Sequence, residues 1–147
     1  MDKIREFLIN AGLLWLRVLM GAGIAYHGYQ KIAKGTVEGL SKAVENWGFP
    51  VPMFFAWAAT LAEFGGGMLL VCGLMTRPAA ALILTTMVVA VFVAHGGDPI
   101  FMMNSTDRRA KELALCYGVM AGALLIMGGG KFSLDSAVWP KIFGKKK

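Results

Sequence analysis

Four apolar runs of 18–25 residues constrain the fold more than any other feature of the sequence. They cover residues 7–26, 51–75, 78–97 and 113–130. A helix needs about 20 apolar residues to cross the ~30 Å hydrocarbon core of a bilayer. Backbone groups in lipid must hydrogen-bond within the protein, and the runs do not show the alternation of barrel strands. Each run therefore predicts a transmembrane helix.

The composition supports the same class of protein. Hydrophobic residues make up 56% of the chain and charged residues 16%, whereas soluble domains average about 45–50% and about 25%. The net charge of +6 does not indicate nucleic-acid binding, because the cations lie at the ends of apolar runs. We predict an all-α integral membrane four-helix bundle that forms one domain over residues 1–147. Its transmembrane helices are expected near residues 7–30, 51–75, 78–97 and 111–129.

The positions of lysine and arginine predict the orientation. Four crossings place both termini on one side, together with Lys3, Arg5 and the lysines at residues 145–147. The short turn between the second and third runs adds Arg77 to that side. Because cytoplasmic segments carry the excess of Lys and Arg, we predict that both termini are cytoplasmic.

The first outer loop, residues 31–50, has a helical pattern of its own. Val37, Leu40, Val44 and Trp47 recur at helical spacing with charged residues between them. A short helix with one apolar and one charged face is typical of a membrane interface. We therefore predict an interfacial amphipathic helix in this loop.

Two charged residues lie inside the apolar runs. Arg17 is about midway along the first and Glu63 about midway along the second. Charged side chains in a bilayer are costly and usually paired or functional. Because the two helices run antiparallel, we predict a buried ion pair between Arg17 and Glu63. Three interpretations stay open: a purely structural clamp, a role for Glu63 as a proton carrier or ligand group, or no pairing of the two residues.

A second polar group is expected at the outer ends of the helices. The predicted pocket residues are His27, Lys31, His95, Glu112, Tyr26 and Tyr117. Such side chains donate to a carbonyl oxygen or relay protons, which suits a quinone head group near the interface. An ordinary interfacial belt of His and Tyr explains them equally well. No metal site is predicted, because no tight motif of metal ligands is present, and no residue is assigned as catalytic.

Three segments carry a family resemblance. They read LLWLRVLMGAGIAYHGYQKI at residues 13–32, AEFGGGMLLVCGLMTRPAA at residues 62–80 and GGGKFSLD at residues 128–135. In this order they resemble the DoxX family of small four-helix bacterial membrane proteins. The resemblance implies residues of interest at Arg17, His27, Gly28, Lys31, Glu63, Gly66, Gly73, Arg77, His95, Glu112 and Asp135.

The resemblance also implies a function and a location. DoxD is similar and is the membrane subunit of a thiosulfate:quinone oxidoreductase, and other relatives are linked to redox stress or to maturation of redox enzymes. This implies a quinone-interacting subunit of a redox complex in the bacterial inner membrane, with quinone as cofactor and a redox partner protein or a homo-oligomer as the assembly. The sequence has no haem, flavin or iron–sulfur motif. The alternative is a non-enzymatic membrane scaffold or assembly factor, so enzymatic activity stays open.

Overall fold

The computed structural model describes residues 2–101 and 111–143, and every regular element in these ranges is helical. The helices are α1 (Lys3–Ala33), α2 (Val37–Asn46), α3 (Pro52–Cys72), α4 (Thr76–Val89), α5 (Glu112–Met127) and α6 (Leu134–Phe143). A π-helical turn, Ala90–Ala94, continues α4. The prediction of an all-α fold is confirmed for these ranges.

Within the described ranges, three helical segments are long and apolar enough to cross a membrane: Lys3–Ala33, Pro52–Cys72 and Thr76–Ala94. The helix α5 is apolar but has only 16 residues. The lysines at residues 145–147, which contributed to the predicted orientation, lie outside the described residues. The long apolar helices are those of a membrane helical bundle.

The two ends of the bundle differ in the helix ends that meet there. At one of them, the termini end, α1 begins, α3 ends, α4 begins and α5 ends. At the other, the α2 end, α1 is followed by α2, and the π-helical turn lies near the start of α5. The helix α2 packs against α3 and buries Val37 and Val44.

Glycines set the register between α1 and α3. A Cβ atom on Gly67 would lie 2.6 Å from the Gly21 carbonyl oxygen, and one on Gly28 would lie 2.5 Å from the Phe64 nitrogen. Such distances are possible only without side chains, so these positions let the two backbones approach closely, as small residues do in membrane helices. The contacts fix the level along α3 at which each polar side chain of α1 lies.

The core is formed between α1, α3, α4 and α5. Met20, Ile24, Leu70, Ile83 and Leu124 are each at most 2% exposed. Large apolar residues also cover the outside of the bundle. The most exposed include Trp15, Phe92, Val119 and Ile126, between 66% and 76%. A helix that is apolar on all sides is typical of a membrane span.

Candidate ligand cavity

A cavity of about 1060 Å³ lies at the α2 end. All five helices from α1 to α5 contribute to its lining. Much of the wall is apolar and aromatic, including Val44, Trp47 and Phe55. The polar part of the lining includes His27, Lys31, Glu63, His95, Glu112 and Tyr117. The cavity therefore combines a large apolar volume with a small set of polar side chains.

The structure places most of the predicted pocket residues along this cavity. His27, Lys31, His95, Glu112 and Tyr117 all line it. Tyr26 does not line it, and its side chain is 60% exposed. It precedes His27 by one residue and is therefore rotated about 100° around α1, so the expectation that Tyr26 joins the pocket is wrong.

The strongest polar contact in the cavity joins Lys31 to Glu63. The Lys31 Nζ donates a hydrogen bond to Glu63 Oε2 at 2.6 Å. The Glu63 side chain is 7% exposed and that of Lys31 is 29% exposed. Because a lone carboxylate buried at this depth is costly, Lys31 provides the countercharge, and its flexible stem reaches from the last turn of α1 to α3.

The predicted ion pair between Arg17 and Glu63 is wrong. The Arg17 Nη1 donates to the carbonyl oxygens of Leu70 at 3.2 Å and Val71 at 2.8 Å, and Nη2 donates to that of Phe132. Val71 lies eight residues beyond Glu63, which is about 12 Å along a helix. The register set by the glycines therefore gives Arg17 and Glu63 different partners at different levels.

Arg17 instead completes the end of α3. The last carbonyl groups of a helix have no partner within it, and the negative end of the helix dipole favours a cation there. Arg17 is only 2% exposed, so its guanidinium satisfies these carbonyls without water. Gly73, at φ 68°, ends α3 where a Cβ atom would overlap the Arg17 guanidinium.

Asp135 fixes the start of α4 next to this site. Its Oδ1 accepts from the Met75 nitrogen at 2.7 Å, and its Oδ2 accepts from the Thr76 nitrogen at 2.8 Å. The Asp135 nitrogen in turn donates to the Gly73 carbonyl at 2.8 Å. A carboxylate at a helix N-terminus satisfies free N–H groups and the positive end of the dipole. Arg17 and Asp135 thus join the ends of the helices by hydrogen bonds at the termini end, at a distance from the cavity.

Two aromatic side chains meet on the cavity wall between α1 and α5. The rings of His27 and Tyr117 pack edge to face, with centroids 6.0 Å apart. Gly23 makes room for this arrangement, because a Cβ atom there would overlap the Tyr117 hydroxyl. The phenol is thereby held against α1 in the cavity wall.

His95 follows the π-helical turn and has a partner that sequence reasoning missed. Its Nδ1 lies 2.7 Å from Asp98 Oδ2. The His95 nitrogen donates to the Ala90 carbonyl at 2.9 Å, the five-residue spacing of a π-helix. The sequence signal for this contact is the spacing of three residues between His95 and Asp98, with two glycines between them. The Asp98 carboxylate at this nitrogen holds the imidazole ring in place.

The pairing of Lys31 with Glu63 makes a testable prediction. Lys31→Met should lower the free energy of unfolding by about 2 kcal/mol, because it leaves the Glu63 carboxylate buried without a countercharge. The double variant with Glu63→Gln should recover most of this loss. Lys131→Met, which breaks the more exposed contact between Lys131 and Glu6, should cost less than about 1 kcal/mol. Unfolding titrations in detergent measure the parent, Lys31→Met, Glu63→Gln, the double variant and Lys131→Met, and additive losses in the double variant would contradict the pairing.

The comparisons with known proteins agree with the sequence resemblance. The family model of DoxX matches residues 12–96, which is more than half of the chain. The matched segment includes His27, Lys31, Glu63 and His95. Neither the search of curated proteins nor that of solved structures gave a match. With its long apolar helices and this match, the chain is a membrane protein that belongs to the DoxX family.

Proposed function

We propose that this chain is the quinone-interacting subunit of a membrane oxidoreductase complex, and that the cavity at the α2 end receives the quinone ring. The observation that carries the proposal is a cavity of about 1060 Å³ whose lining combines apolar walls with the Lys31–Glu63 pair, His27 and Tyr117. Ligand pockets typically measure about 300–1,000 Å³ and hold a few placed polar groups among apolar ones.

The lining residues fit the chemistry of a quinone. Its ring is flat and apolar, which suits Trp47 and Phe55, and its two carbonyl oxygens need hydrogen-bond donors. The Lys31 ammonium on α1 and the Tyr117 hydroxyl on α5 are two hydrogen-bond donors in the lining. When bound, a quinone supplies the capacity to take up two electrons and two protons. Glu112 lies at the exposed start of α5 and is suited to exchange protons with water.

The proposal includes a source of electrons outside this chain. We propose that a redox partner protein delivers them and that the assembly is a heteromeric complex. The alternative assembly is a homo-oligomer of this chain. The competing function, a non-enzymatic scaffold or assembly factor, makes no use of the polar groups in the cavity. Binding of quinone distinguishes the two.

The membrane topology is also part of the proposal. The 16 residues of α5 span about 24 Å, and with residues up to Gly130 they form a fourth crossing. The helix α2 lies in the interface, with its charged face in the headgroups. Lys3, Arg5 and Arg77 favour a cytoplasmic termini end by the positive-inside rule, and the proposed membrane is the bacterial inner membrane.

The test compares two tyrosine variants. Saturating short-chain quinone should raise the melting temperature of the purified protein, because a ligand that binds only the folded state stabilises it. Tyr117→Phe should weaken binding about fivefold, the effect of one lost hydrogen bond. Tyr26→Phe makes the same chemical change outside the cavity and should bind as the parent does.

Two results would contradict the proposal. If saturating quinone leaves the melting temperature of the parent unchanged, the proposal fails and the scaffold function becomes the better explanation. If the parent is protected and the two tyrosine variants behave alike, quinone binds elsewhere than in this cavity.

A further inference from the structure

We propose that the ligand of this cavity has a long apolar tail, and that the tail leaves the bundle sideways, between α3 and α4, into the lipid. This inference rests on the proposed function, since it takes the cavity as the site of the quinone ring. It adds a tail subsite formed by Ala58, Leu82 and Thr85, and it restricts the ligand to isoprenoid quinones dissolved in the membrane.

The helices α3 and α4 are in close contact toward the termini end and lie further apart toward the α2 end. A Cβ atom on Gly66 would lie 3.3 Å from the Ile83 side chain, so the helices touch there. Toward the α2 end, the α3 residues that line the cavity include Ala58, Ala59 and Ala62. Because alanine side chains are short, they leave a gap between the two helices at this level.

The positions of the lining residues show that the cavity passes through this gap. On α4, Ile83 and Met87 are buried against the core. Leu82 and Thr85 lie about 100° and about 160° around the helix from Ile83, in the same direction, and both are exposed. These two residues nevertheless line the same cavity as the buried Glu63. The cavity therefore extends from the core to the outer flank of α4.

The corresponding position on α3 supports the same path. Ala58 is exposed and lines the cavity. It lies about 80° around α3 from Gly66, in the direction opposite to Gly67, which packs against α1. Ala58 is therefore on the lipid-facing flank of the gap and faces the same side as Leu82 and Thr85.

The chemistry of the subsite fits a hydrocarbon chain. The Thr85 hydroxyl donates to the Ala81 carbonyl, and the Thr86 hydroxyl donates to the Leu82 carbonyl, each at 3.0 Å. Their donors are thus used within α4, and Leu82 and Val89 add apolar surface. The Glu63 carboxylate, which is 7% exposed and bonded to Lys31, lies deeper in the cavity. This order, polar inside and apolar toward the lipid, suits a head group with an isoprenoid tail.

The experiment narrows the gap and compares two ligands. Ala58→Phe and Thr85→Phe place a bulky ring in the tail path, whereas Leu61→Phe and Val88→Phe place it on exposed surface outside the cavity. Binding of a tail-less quinone and of a long-chain isoprenoid quinone is measured by thermal protection of the full chain in nanodiscs. The first two variants should weaken long-chain binding about tenfold, as expected if roughly two methylene groups are no longer buried, and leave tail-less binding unchanged.

The outcomes separate this inference from the proposed function. If the parent binds both quinones and the gap variants still bind the long-chain one as the parent does, the tail path is wrong while the proposed function stands. If the gap variants lose both quinones equally, the substitutions disturb the ring site and the tail path is again contradicted. If the parent binds neither quinone, the proposed function fails and this inference with it.

Discussion

Arg17→Met is expected to lower the free energy of unfolding by about 3 kcal/mol or more, since hydrogen bonds from a charged group each contribute about 1.5–3 kcal/mol. The variant keeps a long apolar side chain but removes the donors to Leu70, Val71 and Phe132. Those carbonyls lie where water cannot replace the guanidinium, because Arg17 is 2% exposed. Unfolding of the purified protein by a denaturing detergent, followed by circular dichroism, measures the loss.

Arg77→Met is the matched control for this variant. Arg77 also donates to a backbone carbonyl, that of Ile126 at 3.1 Å, but in an exposed position. Its replacement should cost less than about 1 kcal/mol, because water satisfies an exposed carbonyl. Equal losses in the two variants would show that burial of Arg17 does not matter for stability.

Gly67→Ala is the second substitution with a large expected effect. The added Cβ atom would lie 2.6 Å from the Gly21 carbonyl oxygen and 2.7 Å from the Ala25 nitrogen. Both atoms belong to the backbone of α1, so the helices must separate, and we expect a loss of about 2–3 kcal/mol, as for overpacked cores. The melting temperature and the yield of folded protein report the change.

Gly65→Ala tests the same residue change in open space. A Cβ atom on Gly65 would meet nothing within 4 Å. Replacing glycine by alanine within a helix gains roughly 0.5–1 kcal/mol in the absence of a clash. The two variants should therefore shift the melting temperature in opposite directions, and a shift of the same sign in both would contradict the close contact between α1 and α3.

The fold class could be predicted from the sequence, but the partners of the buried charges could not. The apolar runs indicate helices by their length alone. The positions of Arg17 and Glu63 within the apolar runs predict their depth along the bundle axis only to within a few helical turns. The register depends on where α1 and α3 touch, and that is decided by Gly21, Gly28 and Gly67. Only their three-dimensional contacts show that Lys31 reaches Glu63.

Most residues of the cavity could be predicted from the sequence, because the order of the membrane crossings brings particular helix ends together on one side. His27, His95 and Glu112 lie near helix ends that must meet on one side of a membrane. The contribution of α2 to the cavity wall was not foreseen, since an amphipathic helix predicts a buried face without saying what covers it. The contact between His95 and Asp98 depends on a π-helical turn, which has no simple pattern in the sequence.

The hydrogen bonds at the termini end lie in a different part of the molecule from the residues that line the cavity. Arg17 and Asp135 join the ends of α3 and α4 to the segment after α5, whereas the cavity occupies the opposite end. Apart from the Lys31–Glu63 pair, substitutions around the cavity should therefore have little effect on the hydrogen bonds at the termini end. In evolutionary terms, the arrangement allows the lining of the cavity to change while the helices keep the same frame.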